Sequence, residues 1–120
     1  MRQIELIKIV ATSLAEERVV MKATEDCNLN SFILFDTTYD ENGIVTNKQR
    51  HIFIFPDLDV KKGDFIWVYT KKGIIGKHLN TSKTTTHKLY WNLDGQIWNN
   101  SGDKAYIVHY DDWSQIEYKK

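Results

Sequence analysis

The densest concentration of one chemistry in this chain is an acid-free run. From Phe65 to Leu93 there is no Asp or Glu, while Lys71, Lys72, Lys77, Lys83 and Lys88 stand there with His78 and His87. Lysines interleaved with Ser, Thr and Asn can contact phosphates without reading base sequence. Segment 71–88 therefore predicts either weak, non-specific nucleic-acid binding or a solvated loop. Gly73 and Gly76 would make such a loop flexible, and Ile74 and Ile75 would tie one end down or meet a partner. Lys plus Arg and Asp plus Glu both number 16. Concentrating base here leaves the remainder acidic, which argues against tight binding to a polyanion.

The other reactive side chains assign no catalytic residue, no metal and no cofactor. His51, His78, His87 and His109 show no metal-ligand spacing, and Cys27 is distant in sequence from all four. Glu25 and Asp26 precede Cys27, and flanking acids raise a thiol pKa, so the residue reads as inert. Asp57 and Asp59 could offer two oxygens to calcium, but a site needs several more. Gly-rich phosphate cradles, Gly-x-Ser-x-Gly elbows and His-Glu-x-x-His helices are all missing. An enzyme, such as a small hydrolase, would need a cleft joining His51 or His109 to a carboxylate with a shifted pKa.

The elements that must position these groups are strands. Apolar runs read as strands over 4–11, 18–22, 31–36, 51–55, 65–70, 105–110 and 113–118. Val19 and Met21 share a face, and Phe32 and Leu34 oppose Ile33 and Phe35. Phe65, Trp67 and Tyr69 oppose Ile66 and Val68, so that strand belongs at a sheet centre or under a loop. Asn42-Gly43 suits a tight hairpin. Ser13 to Glu17 could form one helical turn. Pro56 ends a strand or marks an edge. The corner 89–106 joins the apolar pairs Tyr90-Trp91 and Ile97-Trp98 through polar turns, with Trp98 pointing inward and Gly102 at a positive φ. This pattern predicts an all-β, antiparallel sandwich of seven to eight short strands.

The order Tyr90-Trp91, then Trp98-Asn99-Asn100-x-Gly102-Asp103-x-Ala105, resembles the C-terminal signature of the lamin tail domain family. Leu29-Asn30-Ser31-Phe32-Ile33-Leu34-Phe35-Asp36 resembles that family's Leu-Ser-Gly-Trp-x-Leu-x-Asp run. Phe53-Ile54-Phe55-Pro56, Val60-Lys61-Lys62-Gly63-Asp64 and Val68-Tyr69-Thr70 resemble its central strand, turn and next strand, and Glu17-Arg18-Val19-Val20 loosely resembles its Asn-Glu-x-Val strand. The chain departs from the family at Phe32, where Trp is usual, and at Ser31, where Gly is usual. Lys71-Lys72-Gly73 replaces a Thr-Gly-x-Gly type of turn. The resemblance implies one immunoglobulin-like domain over residues 1–120 that binds or scaffolds, with a protein as the partner.

Size and composition fit that expectation. A chain of 120 residues with 42% hydrophobic and 12% aromatic residues can bury the core of a single domain. One cysteine permits no internal disulfide, which suits a reducing compartment. Charges interrupt the apolar start at Arg2, Glu5 and Lys8, so no signal peptide is read there. No window approaches 18 uncharged apolar residues, so no membrane association is expected and the cytoplasm is the default location.

Overall fold

The computed structural model describes residues 3–39, 42, 45–46, 51–98 and 103–120. Runs rich in β-branched and aromatic residues between turns form strands β1 (Ile4–Val10), β2 (Arg18–Ala23), β3 (Cys27–Asn28), β4 (Phe32–Tyr39), β5 (Val45–Thr46), β6 (Ile52–Ile54), β7 (Asp59–Val60), β8 (Phe65–Tyr69), β9 (Gly76–Leu79), β10 (Thr85–Tyr90) and β11 (Lys104–His109). Eight of them exceed two residues, and the expected all-β sandwich is what forms. The first sheet has the order β1-β2-β8-β10-β9. The second is built on β4, flanked by β11 and β6, with β5 pairing its far end. Pairings are antiparallel except β8 with β10, which run parallel. No described helix is long and apolar enough to cross a membrane.

The core lies between the sheets. Ile4, Val19, Met21, Ile66, Val68 and Leu89 point in from the first sheet, and Phe32, Leu34 and Phe53 from the second. Burying each such aliphatic or aromatic side chain contributes about 1.5–3 kcal/mol. Trp98 closes the core at 6% exposure, against Trp91 with ring centroids 6.4 Å apart. It is the inward pin that its sequence context predicts. Ser13 to Glu17 makes its single turn, with Glu16 N and Glu17 N donating to the Ser13 carbonyl.

That turn delivers Glu17, which is fully buried. Its carboxylate accepts hydrogen bonds from Thr70 Oγ1 at 2.6 Å, Ile97 N at 3.0 Å and Gln96 Nε2 at 3.1 Å. Thr70 N also donates to the Glu17 carbonyl. One side chain thus fastens the end of β8 and the corner before Trp98 to the start of β2.

Three sequence expectations need correction or placement. Residues 113–118 are not a strand: they pair with no described strand, and Trp113, Ile116 and Tyr118 are 69%, 97% and 86% exposed. Segment 71–88 is not one loop. Gly76–Leu79 pairs antiparallel with Thr85–Lys88 as a hairpin, closed by a turn in which Asn80 N donates to the Thr84 carbonyl and Lys83 N to the Asn80 carbonyl. Ile74 and Ile75 are 90% and 56% exposed, so they anchor nothing. Gly102, Gly43 and the turn 99–102 lie outside the described residues.

Candidate functional site

The register of the first sheet builds one chemically distinct surface. Its inner face is the core, so alternate residues must face outward, and three cross-strand rows result. Glu5, Lys22, Phe65, Thr86 and His78 form one row. Lys8, Val20, Trp67, Lys88 and Gly76 form the next, and Val10, Arg18, Tyr69 and Tyr90 the third. The strand at the sheet centre is therefore apolar on both faces, but its second face is covered by cations rather than by another layer.

These cations sit on rings. The Arg18 guanidinium carbon lies 4.6 Å from the Trp67 centroid and 5.7 Å from that of Tyr69. Lys88 Nζ is 5.7 Å from the Trp67 ring, Lys71 Nζ 5.0 Å from Tyr69, and Lys22 Nζ 5.6 Å from Phe65. Each lies within cation–π range. Tyr69 stacks on Tyr90 at 5.2 Å, and His78 meets Trp67 edge-on at 6.2 Å. Burial raises the Tyr69 pKa, so the phenol stays neutral beside these cations. Arg18 Nη1 donates to the Glu16 carbonyl at 2.8 Å and lies 3.4 Å from the Glu16 carboxylate, while its Nε is buried without a hydrogen-bond partner among the described residues. Next to this stack is an open depression of about 360 Å³, lined by Phe65, Trp67, Arg18, Lys8, Asn80 and Ser82.

The five lysines singled out in the sequence do not form one patch. Lys71 and Lys88 join the aromatic face. Lys72 pairs with Asp94 at 2.9 Å. Lys77 on β9 sits opposite His87, whose row faces the other way, and Lys83 occupies the exposed hairpin turn at φ 69°. Arg18, Lys22, Phe65, Trp67 and Tyr69 were the residues that a count of charge along the chain passed over. Their signal is alternation: Arg18-x-Val20-x-Lys22 and Phe65-x-Trp67-x-Tyr69 are each one face of a strand.

The second sheet also has an outer face, and it is apolar. Ile54, Ile33 and Val108 make one row, and Ile52, Phe35 and Tyr106 the next. Ile54 is 71% exposed and Ile52 59%, and Phe35 stacks on Tyr106 at 5.3 Å. Trp113 flanks an open cavity of about 510 Å³ beside Ile33, Ile54 and Val108.

Two His–Asp pairs hold loops. His51 Nδ1 lies 3.2 Å from Asp36 Oδ2, and the His51 amide also donates to that carboxylate. Buried His87 Nε2 lies 3.0 Å from Asp64 Oδ2, and Asp64 also accepts from the Lys61 and Thr85 amides at 3.0 Å each. Burial pushes the Asp64 carboxyl up, but the His87 and amide hydrogen bonds outweigh it and hold it below its ordinary value. His51 thus meets a carboxylate, and lines neither the depression beside Trp67 nor the cavity beside Trp113. Asp57 and Asp59 both accept from the Asn28 side-chain amide, at 2.7 and 2.9 Å. Among the described residues no three His, Cys, Asp or Glu side chains converge. The Cys27 thiol is held above its ordinary value, by burial first and then by Glu25 and Asp26. Compared with protein-family models, with curated proteins and with solved structures, the chain has no significant match.

Proposed function

We propose that this chain is a non-catalytic interaction module that docks a protein partner on the outer face of its second sheet. One observation carries the reading: six apolar side chains lie contiguous across β6, β4 and β11, with Ile54 and Ile52 more than half exposed. Apolar residues scattered singly on a surface are ordinary, whereas a contiguous patch marks an interaction site. Aromatic residues such as Tyr106 and Trp113 add large contact area at small entropic cost. The resemblance to lamin tail domains, an immunoglobulin-like family of binding and scaffolding modules, supports the same class, and the single thiol supports a cytoplasmic setting.

The test compares wild type with Ile54→Asp as baits in a lysate of the source cells, read by quantitative mass spectrometry. Ile54 is exposed, so the substitution leaves the fold intact. Proteins enriched on wild type and lost on Ile54→Asp support the reading. Identical sets on both baits, or none on either, reject it.

A further inference from the structure

We propose that the opposite face, the cation-covered surface of the first sheet, binds single-stranded nucleic acid without sequence preference, seating one base in the depression beside Trp67. The argument begins with charge. Lys8, Arg18, Lys22, Lys71 and Lys88 share this face or its rim, against the carboxylates of Glu5 and Glu16. The whole chain is neutral, so this surface is a local excess of positive charge, suited to a polyanion.

Ring geometry then narrows the polyanion. Alternate residues on a strand stand about 6.6 Å apart, and the Trp67 and Tyr69 centroids are 6.2 Å apart. Bases in a stacked duplex strand rise about 3.4 Å, so a duplex would meet this surface through phosphates alone. A single strand can splay its bases, and splayed bases stack on aromatic rings or on Arg guanidinium planes. The Arg18 guanidinium carbon, 4.6 Å from the Trp67 centroid, and Trp67 itself both line the depression, so a base seated there meets an aromatic ring and a guanidinium together. The depression, at about 360 Å³, is within the range of small-ligand sites.

Its polar wall suits a base edge. Asn80 Nδ2 donates to Thr84 Oγ1 at 3.1 Å, and Asn80 Oδ1 accepts from Thr86 Oγ1 at 3.0 Å. Each group keeps capacity for one more bond, since an amide has two protons and two lone pairs. Ser82 Oγ, 2.9 Å from Thr84 Oγ1, is likewise both donor and acceptor. A sulfated glycan asks chiefly for donors, whereas base edges ask for both kinds. One seat of this type gives no sequence code, so binding is weak and non-specific. The site is the sheet face, not the lysine-rich hairpin as a whole.

The experiment is fluorescence anisotropy with a labelled twelve-nucleotide oligo(dT), the matching duplex and low-molecular-weight heparin, over a range of salt. Wild type is expected to prefer the single strand. Log affinity should fall with log salt at a slope of about −2 to −3, for three to four phosphates at about −0.7 each. Trp67→Leu should weaken single-strand binding by about 10-fold or more, within the usual contribution of one stacked base, and Trp67→Phe should restore most of it. Should Trp67→Leu fail to fold, Lys8→Glu with Lys88→Glu decides, and should abolish binding. Lys77→Ala with Lys83→Ala should change nothing. Equal affinity for duplex, insensitivity to Trp67→Leu in a folded protein, binding of heparin alone, or loss of binding on replacing Lys77 and Lys83 would each overturn the proposal. Ile54→Asp, on the other sheet, should leave oligonucleotide binding intact, so the two faces stand or fall separately.

Discussion

Replacing Glu17 by Ala tests whether one buried carboxylate holds the corner. The variant removes the acceptor for three donors. Gln96 is exposed and can turn its amide to water, so its loss costs little. Thr70 is fully buried, and the Ile97 amide is held in partly buried surroundings. Each of these two donors, left unpaired, costs about 1–3 kcal/mol. The expected loss is therefore about 2–6 kcal/mol, a large share of the roughly 5–15 kcal/mol that a domain possesses. Glu17→Gln keeps one acceptor oxygen but turns an NH2 toward one of the donors, so it should fall between wild type and Ala. Urea denaturation followed by tryptophan fluorescence reads both variants. Trp98 should gain solvent contact in the Ala variant, because the corner preceding it is released. A loss below about 1 kcal/mol for Glu17→Ala, the size of an ordinary surface change, would refute the reasoning.

Trp98→Ala should destabilise by about 3–5 kcal/mol, as emptying a large aromatic site does; chemical denaturation checks it, and a cost near zero would mean that the ring does not fill the core. Asp64 is held below its ordinary value of 3.8, so its contribution is full above about pH 4 and is lost as pH falls through the lower, folded value. The stability gap between wild type and Asp64→Asn should accordingly shrink on acidification in denaturation curves, and a gap that stays constant contradicts the pairing. Cys27, with its thiol pushed up, should react with a thiol dye at neutral pH more slowly than free cysteine, and Cys27→Ser should keep the fold. Gly73→Ala should disturb the Tyr69–Tyr90 stack, since an added Cβ would meet the Tyr90 ring at 2.3 Å; an unchanged near-ultraviolet circular dichroism spectrum would count against it.

Much of the sandwich was legible because its strands alternate. Phe32 and Leu34 are buried while Ile33 and Phe35 are half-covered, and Ile66 and Val68 lie in the core under Phe65, Trp67 and Tyr69. The tail was misread because Trp113, Ile116 and Tyr118 carry strand-forming side chains that find no neighbouring strand to pair with. Strand β9 was hidden for the opposite reason. Its residues Gly76, Lys77, His78 and Leu79 are all exposed, and pairing with β10 alone makes them a strand. The Glu17 clamp leaves no local trace, because its donors stand 53, 79 and 80 residues away. The cationic face needed the register as well: Arg18 and Lys88 come from opposite ends of the chain and meet only because both flank β8.

The parallel pairing of β8 with β10 bears on the order in which a ribosome can deliver this fold. The β1–β2 hairpin emerges first, but the inner edge of β2 has no partner until β8 follows roughly forty residues later. At about 5–20 residues per second that wait lasts about 2–8 s. Even then β8 lacks its other neighbour, since the chain must lay down β9 and turn at Lys83 before β10 slots between them. The β9–β10 hairpin can close locally in about 1–10 μs, so it is suited to dock as a preformed unit. During synthesis the strand that later forms the middle of the aromatic face is thus an open edge, and the nascent chain is most prone to mispairing in the interval before Tyr90 leaves the tunnel.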